Sequence, residues 1–176
     1  MARVPPLAYE AAGPETRRAY DQQIAAHGRV TNMKQTLGHS PTAFRALMEW
    51  YPLRNEVVPF LGERRTNLFS HAISAQTDCL ICSSYFRRIL VEAGDNPDAP
   101  GLDEFDEAIV EFGRQLARDP NQVEDPLFAR LAGTLAAEQI VTLTAFGALM
   151  VATNVFNNAL RVELDDYLIP YRKEQA

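Results

Sequence analysis

Residues 76–94 read QTDCLICSSYFRRILVEAG, and this stretch holds both cysteines of the 176-residue chain. Its apolar residues recur at helical spacing, which predicts a helix from Cys79 to about Ala93. We expect Asp78 to cap the start of this helix and Gly94 to end it. The two cysteines then lie three residues apart, on one face of its first turn.

The prolines divide the rest of the chain into helical segments. Six of the eleven precede Phe60, and none lies between residues 60 and 96 or between residues 127 and 169. Because proline is excluded from helix interiors, long helices fit into those two gaps. Besides the cysteine helix, the sequence predicts helices over about 14–27, 42–50, 62–77, 103–118 and 134–161, and a short one from Pro126. No run alternates as a strand does, so we predict an all-α fold with a single domain over residues 1–176.

Composition and charge narrow the classes of function. Hydrophobic residues make up 47% and charged residues 23% of the chain, the balance of a protein with a real core. The 17 Lys and Arg residues against 23 Asp and Glu residues give a net charge of −6. Such a chain lacks the basic face that phosphate binding needs, so we expect neither nucleic acid nor membrane as a partner. The N-terminus has no secretory signal pattern, from which we expect a cytoplasmic protein with reduced thiols.

A long uncharged stretch near the C-terminus raises the question of a membrane span. No residue from Gln139 to Leu160 carries a charge, but threonines and asparagines interrupt the stretch. A spanning helix needs about 20 predominantly apolar residues, so we expect a helix buried inside the protein or between subunits. Asn154, Asn157 and Asn158 then need partners, because buried amides are costly when unsatisfied.

The spacing of Cys79 and Cys82 suits redox chemistry. At a helix N-terminus, thiols at i and i+3 are close enough for a disulfide, and the free N–H groups there lower the pKa of a thiol. A thiolate so formed attacks a peroxide or a disulfide, and its neighbour resolves the product. The pair also fits two ordinary core residues or half of a metal site. We expect no cofactor and no metal, because only His27, His39 and His71 are available, at irregular spacing.

Several segments, in order, resemble the carboxymuconolactone decarboxylase / alkylhydroperoxidase D-like family, and within it a peroxidase-related branch. The order and separation of the segments carry the resemblance, since each one alone is a weak signal. The matching segments are RVPPL at 3–7, GRVTN at 28–32, LGHSP at 37–41, the stretch from RRT at 64–66 through DCLIC at 78–82 to AG at 93–94, and NVFNNALRV at 154–162.

The resemblance implies an all-helical bundle whose CxxC pair lies on a helical hairpin, and a chain that assembles as a dimer, trimer or hexamer. It implies that Cys82 attacks the peroxide and that Cys79 then forms a disulfide with it, which a disulfide-reducing partner reduces. The family's proton relay uses a Glu twelve residues before the first cysteine and a His four residues after the second. Here those positions hold Asn67 and Phe86, and neither side chain can act as an acid or base at neutral pH.

Two other side chains are candidates to replace the missing relay. His71 lies four residues after Asn67 and shares its helix face, and Tyr85 lies three residues after Cys82. A phenol can donate a proton, although its pKa near 10 makes it a poor base. The predicted catalytic residues are therefore Cys82, Cys79, His71 and Tyr85. Both candidates also fit plainer roles, His71 as an ordinary histidine and Tyr85 in packing.

These features predict a thiol-dependent peroxidase or disulfide reductase of antioxidant type, acting on a peroxide or another small molecule. Two alternatives stay open. A redox-sensing or structural oligomer without turnover fits a chain that kept the thiols and lost the relay. A lactone decarboxylase like the family's namesakes is the other, although those members generally lack the CxxC pair.

Overall fold

The computed structural model describes residues 1–173. These residues form nine α-helices, three short 3-10 segments and no strand, which confirms the predicted all-α fold. The helices are α1 (Pro14–His27), α2 (Asn32–Leu37), α3 (Pro41–Met48), α4 (Trp50–Leu61), α5 (Glu63–Gln76), α6 (Leu80–Glu92), α7 (Glu104–Arg118), α8 (Asp125–Ala132) and α9 (Ala137–Leu160). The 3-10 segments are Tyr9–Ala11, Pro120–Gln122 and Asp166–Tyr171.

Local capping explains why several helices begin and end where the sequence predicts. Helix α1 opens on Pro14 at its first position and ends at Gly28, whose φ of 74° is the left-handed conformation that favours glycine. Ser40 caps α3 by accepting from the backbone N–H of Ala43. At the start of α7, the Asp103 carboxylate accepts from the Asp106 N–H, and the Asp106 carboxylate accepts from the Asp103 N–H.

Two helices were not predicted, α2 because it is short and α4 because it contains prolines. Helix α2 is only six residues long, and α4 contains both Pro52 and Pro59. Pro52 lies in the first turn of α4, where a backbone N–H has no helical partner to lose, and Pro59 lies in its last turn. Proline at these two positions leaves the middle of the helix intact. A prediction that ends helices at every proline therefore misses α4.

The core forms where α5, α7 and α9 meet around Phe69, which is fully buried. Its ring stacks on those of Phe112 and Phe146, with centroids 6.1 Å away in both cases. Gly147 lets α9 approach closely, because a Cβ atom there would lie 2.9 Å from the Phe69 ring. This packing fixes α9 against α5, the helix that leads into the cysteine turn.

Helix α9 is long and apolar enough to cross a membrane by length and composition, with a mean hydropathy of 1.6 over its most apolar window. One of its faces, however, carries Leu143, Phe146 and Met150 into the core. Its opposite face exposes Val141 and Val155. The helix is therefore a core helix with one face against α4, α5 and α7 and an uncharged face left open.

Candidate active site

The turn between α5 and α6 sets the position of both cysteines. Asp78 has a φ of 51°, in the left-handed region, which Asp tolerates better than most residues. Its N–H donates to the carbonyl of Ala75 at 3.2 Å, and the Cys79 N–H donates to the carbonyl of Ser74 at 2.9 Å. These two bonds form a Schellman motif that ends α5.

The Schellman motif overturns the prediction that Asp78 caps α6. Asp78 belongs to the end of α5, and Cys79 is the N-cap residue of α6, in an extended conformation. The carbonyl of Cys79 accepts the first helical hydrogen bond, from Ser83 at 2.9 Å. Cys79 and Cys82 thus lie at the start of α6 as predicted, with the boundary moved by one residue.

Both cysteines are free thiols in the interior of the protein. Cys79 is completely buried, whereas Cys82 retains 7% of its surface. Hydrogen bonding to the Cys82 thiol, together with the N–H groups at the start of α6 and the Asn157 amide, lowers the pKa of Cys79 to about 7 against the effect of burial. The same hydrogen bond and burial raise the pKa of Cys82 well above its ordinary value. Cys79 is therefore the first thiol of the pair to ionise, and it does so near neutral pH.

Asn157 is the site residue that sequence reasoning missed. It is buried, and its Nδ2 atom lies 3.4 Å from the Sγ of Cys82 and 3.9 Å from the Sγ of Cys79. An amide N–H directed at sulfur stabilises a thiolate without itself taking up a proton. The only hint in the sequence was the presence of asparagines in the uncharged helix, because buried amides need hydrogen-bond partners.

All three of those asparagines find partners in the cysteine turn. The Asn154 side chain donates to the Thr77 hydroxyl at 2.9 Å, and the Asn158 side chain donates to the Thr77 carbonyl at 2.8 Å. With Asn157 on the sulfur atoms, one face of α9 is bound to the turn by three amides. The geometry of the two thiols thus depends on a helix 75 residues away in sequence.

A cavity of about 420 Å³ opens beside the Cys82 thiol, a size typical of sites for small ligands. Tyr85 and Phe86 lie on its wall with Cys82. The Trp50 ring packs against Phe86 with centroids 6.1 Å apart and meets Tyr51 edge to face. Aromatic side chains make up much of the lining: Trp50, Tyr51, Tyr85, Phe86 and Tyr167. Cys79 lies behind this wall, so a ligand in the cavity meets Cys82 first.

No protein-family model matches the chain, and no curated protein matches it in sequence. Solved structures do match it along nearly its whole length. An uncharacterized peroxidase-related protein from Ralstonia eutropha JMP134, described as an alkylhydroperoxidase AhpD core, has a TM-score of 0.76 at 19% identity, over 99% of this chain and 98% of the other. The chain has the alkylhydroperoxidase D-like fold.

Two further proteins, represented by three structures, share this alkylhydroperoxidase D-like fold. The debrominase Bmp8 matches with a TM-score of 0.79 at 17% identity, over 96% of this chain and 95% of the other. A cysteine-to-alanine variant of Bmp8, solved with 2,3,4-tribromopyrrole, matches with a TM-score of 0.78. An uncharacterized peroxidase-related protein from Silicibacter sp. TM1040 matches at 0.72 and 15% identity, over 93% of both chains. The fold that the sequence resemblance implied is confirmed, including its cysteine-bearing hairpin.

The positions of the usual relay in the alkylhydroperoxidase D-like fold hold no acid or base here. Phe86 is part of the aromatic wall, and Asn67 is buried, with no hydrogen-bond partner for its Oδ1 atom within residues 1–173. His71 lines a different cavity, with Arg87 and Asp98, and neither cysteine lines that one. Burial and the charge of Arg87 lower the pKa of His71 to about 4. Of the two predicted substitutes, only Tyr85 shares a cavity with a cysteine.

The side chains near the cysteines can be compared with those of a metal site. Across the part of the chain that the structure describes, no group of three or more His, Cys, Asp or Glu side chains is placed to hold a metal ion. The polar neighbour of both sulfur atoms is instead the Asn157 amide, which directs its N–H groups at them.

Proposed function

We propose that this protein is a thiol-dependent peroxidase in which Cys82 and Cys79 act as a two-electron couple. One observation carries the proposal: the Cys82 thiol borders the cavity and is hydrogen-bonded to Cys79, whose pKa is lowered to about 7. The nucleophile and a base for its proton are thus adjacent. The fold shared with peroxidase-related proteins supports the same class of reaction.

In the first step, the Cys79 thiolate takes the proton of Cys82 as the Cys82 sulfur attacks the terminal oxygen of a peroxide. The new S–O bond replaces the O–O bond, so that sulfur is oxidised to a sulfenic acid and the peroxide is reduced to an alkoxide. The alkoxide takes this proton from Cys79, directly or relayed through the Tyr85 phenol in the same cavity, and leaves as an alcohol, so that Cys79 is again a thiolate. Cys79 thereby performs the task that the usual glutamate and histidine perform in the relay.

In the second step, the Cys79 thiolate attacks the oxidised Cys82 sulfur. The S–O bond breaks, hydroxide leaves and takes a proton to become water, and a Cys79–Cys82 disulfide forms. In sum, one peroxide and two thiols give one alcohol, one water and one disulfide. A dithiol reductant then restores both thiols by exchange, and a disulfide-reducing partner of that kind remains part of the proposal.

The test is peroxide consumption by the reduced protein with dithiothreitol as the reductant. We expect turnover in the wild type, none in Cys82→Ser, and a single oxidation in Cys79→Ser that stops at a sulfenic acid trapped by dimedone. Ser83→Ala, a neighbouring change outside the cavity that Cys82 lines, serves as the matched control and keeps full turnover. Tyr85→Phe lowers turnover if the phenol supplies the proton to the alkoxide.

Two results would reject the peroxidase proposal in favour of the alternatives. A disulfide that forms with peroxide but supports no cycling with dithiothreitol indicates a redox sensor. Lactone decarboxylation that survives Cys82→Ser indicates chemistry of the decarboxylase type.

A second candidate is reductive dehalogenation, which also consumes the two electrons released when the two thiols form a disulfide. The specific observation in its favour is the aromatic wall beside Cys82, in a fold shared with a debrominase. An aryl bromide and two thiols give the arene, bromide, a proton and the disulfide. Release of bromide from 2,3,4-tribromopyrrole, lost in Cys82→Ser, is the measurement that supports it.

Assembly and location stay predictions. The open face of α9 is our candidate for contacts between subunits, because it carries no charge. We continue to expect a homo-oligomer in the cytoplasm.

A further inference from the structure

The wall of the Cys82 cavity carries an excess of positive charge in a chain whose net charge is −6. Its charged side chains are Arg29, Lys34, Arg88 and Asp165, which is three cations against one carboxylate. Arg88 is paired outside the cavity wall, since its Nη1 donates to Glu92 at 2.7 Å. Arg29 lies over the Tyr167 ring, 4.2 Å from its centre.

Lys34 differs from the two arginines because its ammonium group is buried. The side chain is only 4% exposed. Its Nζ atom donates to the Gln23 side chain at 2.5 Å and to the Tyr51 hydroxyl at 2.9 Å. An ammonium group carries three N–H donors, so one donor has no acceptor within the described chain.

No carboxylate balances this charge at close range. Among residues 1–173, no acidic side chain forms an ion pair with Lys34, and an isolated buried charge is costly. Burial lowers the pKa of Lys34 to about 8, while Asp165 across the wall acts in the opposite direction. The ammonium form therefore predominates at neutral pH.

Other polar atoms of the same wall also lack partners. Trp50 Nε1 and Arg88 Nε are buried donors without an acceptor in the part of the chain that is described. Together with Lys34, they place three donors without acceptors on side chains that line one cavity, against one buried acceptor without a donor, Asp165 Oδ2. Buried donors are normally satisfied, so each exception calls for an explanation.

We infer that the cavity binds a small aromatic carboxylate that also carries the peroxide group: the carboxylate pairs with Lys34, and the terminal peroxide oxygen faces the Cys82 thiol. The aromatic side chains Trp50, Tyr51 and Tyr85 provide flat surfaces for a ring, and the charge on Lys34 distinguishes an acid from a neutral analogue. The inference deepens the proposed function by naming a substrate class, and it rests on that proposal for the assignment of Cys82 as the reacting residue.

The test compares two alkylating reagents of the same shape, 4-(bromomethyl)benzoate and 4-(bromomethyl)benzamide. With each reagent the thiolate forms an S–C bond and displaces bromide. Peptide mass spectrometry then identifies the alkylated cysteine. We measure the ratio of the benzoate rate to the benzamide rate for the protein and divide it by the same ratio for glutathione. A change in the thiol pKa alters both rates by the same factor and does not affect their ratio, because both reagents react with the same thiolate.

We expect the normalised ratio to be about tenfold in the wild type and close to one in Lys34→Met, since a charge interaction of ordinary size changes rates by about this factor. Lys34→Arg retains the charge and keeps most of the preference. Arg114→Met removes an exposed arginine of α7 far from the cavity wall and leaves the ratio unchanged. Alkylation of amines in the protein does not affect the ratio, because only the alkylated cysteine peptide is quantified.

A wild-type ratio no higher than that of glutathione overturns the inference, as does a Lys34→Met variant that keeps the whole preference. Lys34 then only links α2 to Gln23 of α1 and Tyr51 of α4. If Lys34→Met does not fold, the wild-type ratio decides alone. Alkylation requires neither peroxide nor a disulfide, so a protein without peroxidase turnover can still show the preference, and a peroxidase can fail to show it.

Discussion

The side-chain amide of Asn157 on α9 lies 3.4 Å from the Sγ atom of Cys82 on α6. The same Nδ2 atom is 3.9 Å from the Sγ of Cys79, so one neutral donor serves both thiols. The sequence resemblance implied ionisable residues in a relay to the cysteines. Here the amide directs its N–H groups at both sulfur atoms, and in the proposed mechanism the proton transfer falls to the pair itself.

Removal of this amide should raise the pKa of Cys79, the thiol that ionises first. In Asn157→Ala we expect a rise of about one pH unit, because a hydrogen bond to a charged group is worth about 1.5–3 kcal/mol and one pKa unit corresponds to about 1.4 kcal/mol. The measurement is a pH titration of thiolate absorbance. Asn158→Ala is the matched control, since that amide binds the Thr77 carbonyl and no sulfur. Equal shifts in the two variants would contradict the assignment.

Sulfenic acid formation should follow the ionisation of the cysteine pair. The pKa of Cys79 is lowered to about 7, so the thiolate fraction, and with it the rate, rises as the pH increases from 5 to 8 and reaches half its maximum near pH 7. Cys79→Ser removes the internal base, and we expect the midpoint of the Cys82 reaction to move above pH 8. Stopped-flow measurement with dimedone trapping gives both profiles. An unchanged midpoint in Cys79→Ser would show that another group accepts the proton.

His71 should make the stability of the fold sensitive to acid. Burial, followed by the charge of Arg87, lowers its pKa from 6.5 to about 4, and Asp98 opposes the shift. Between pH 6.5 and pH 4 the unfolded chain binds a proton at His71 that the folded chain does not, so this contribution to stability is complete above pH 6.5 and is lost as the pH falls. Urea unfolding at several pH values should show a decrease of about 2 kcal/mol over this range.

The control for this effect is the neutral variant His71→Gln, in which the decrease should be much smaller. His39→Gln removes an exposed histidine whose ring contacts the Pro5 carbonyl, and it should leave the decrease in place. A decrease of the same size in His71→Gln would assign the acid sensitivity to other groups.

The open face of α9 should be the contact between subunits. Val141, Ala145, Ala148, Ala152 and Val155 are exposed and recur at intervals of four and three residues, the spacing of residues that pack helix on helix. We expect Ala148→Glu to lower the oligomeric mass measured by analytical ultracentrifugation, because a buried carboxylate without a partner is costly. Gln22→Glu adds the same charge on α1 and should leave the mass unchanged. A wild-type monomer would contradict the predicted oligomer.

Helix boundaries were predictable from sequence where the local residues decide them. Pro14 and Gly28 bound α1, and Asp103 begins α7. Proline suits the first helical position, glycine adopts the left-handed conformation at the end, and the Asp103 carboxylate accepts a hydrogen bond from a free N–H of the first turn. Asp78 shows the limit of this reasoning. Aspartate is suited both to capping α6 and to the left-handed end of α5, and the bonds to Ala75 and Ser74 select the second role.

The sequence by itself determined the helical class and the presence of two thiols at the start of α6, since these follow from spacing and capping over a few residues, and the hairpin came from the family resemblance. Only the tertiary structure decided the surroundings of those thiols. Asn157 reaches them from α9, Lys34 faces the same cavity from α2, and His71 points into a different one. Contacts between distant segments depend on how whole helices pack, and no local pattern in the chain records which buried polar group will meet another.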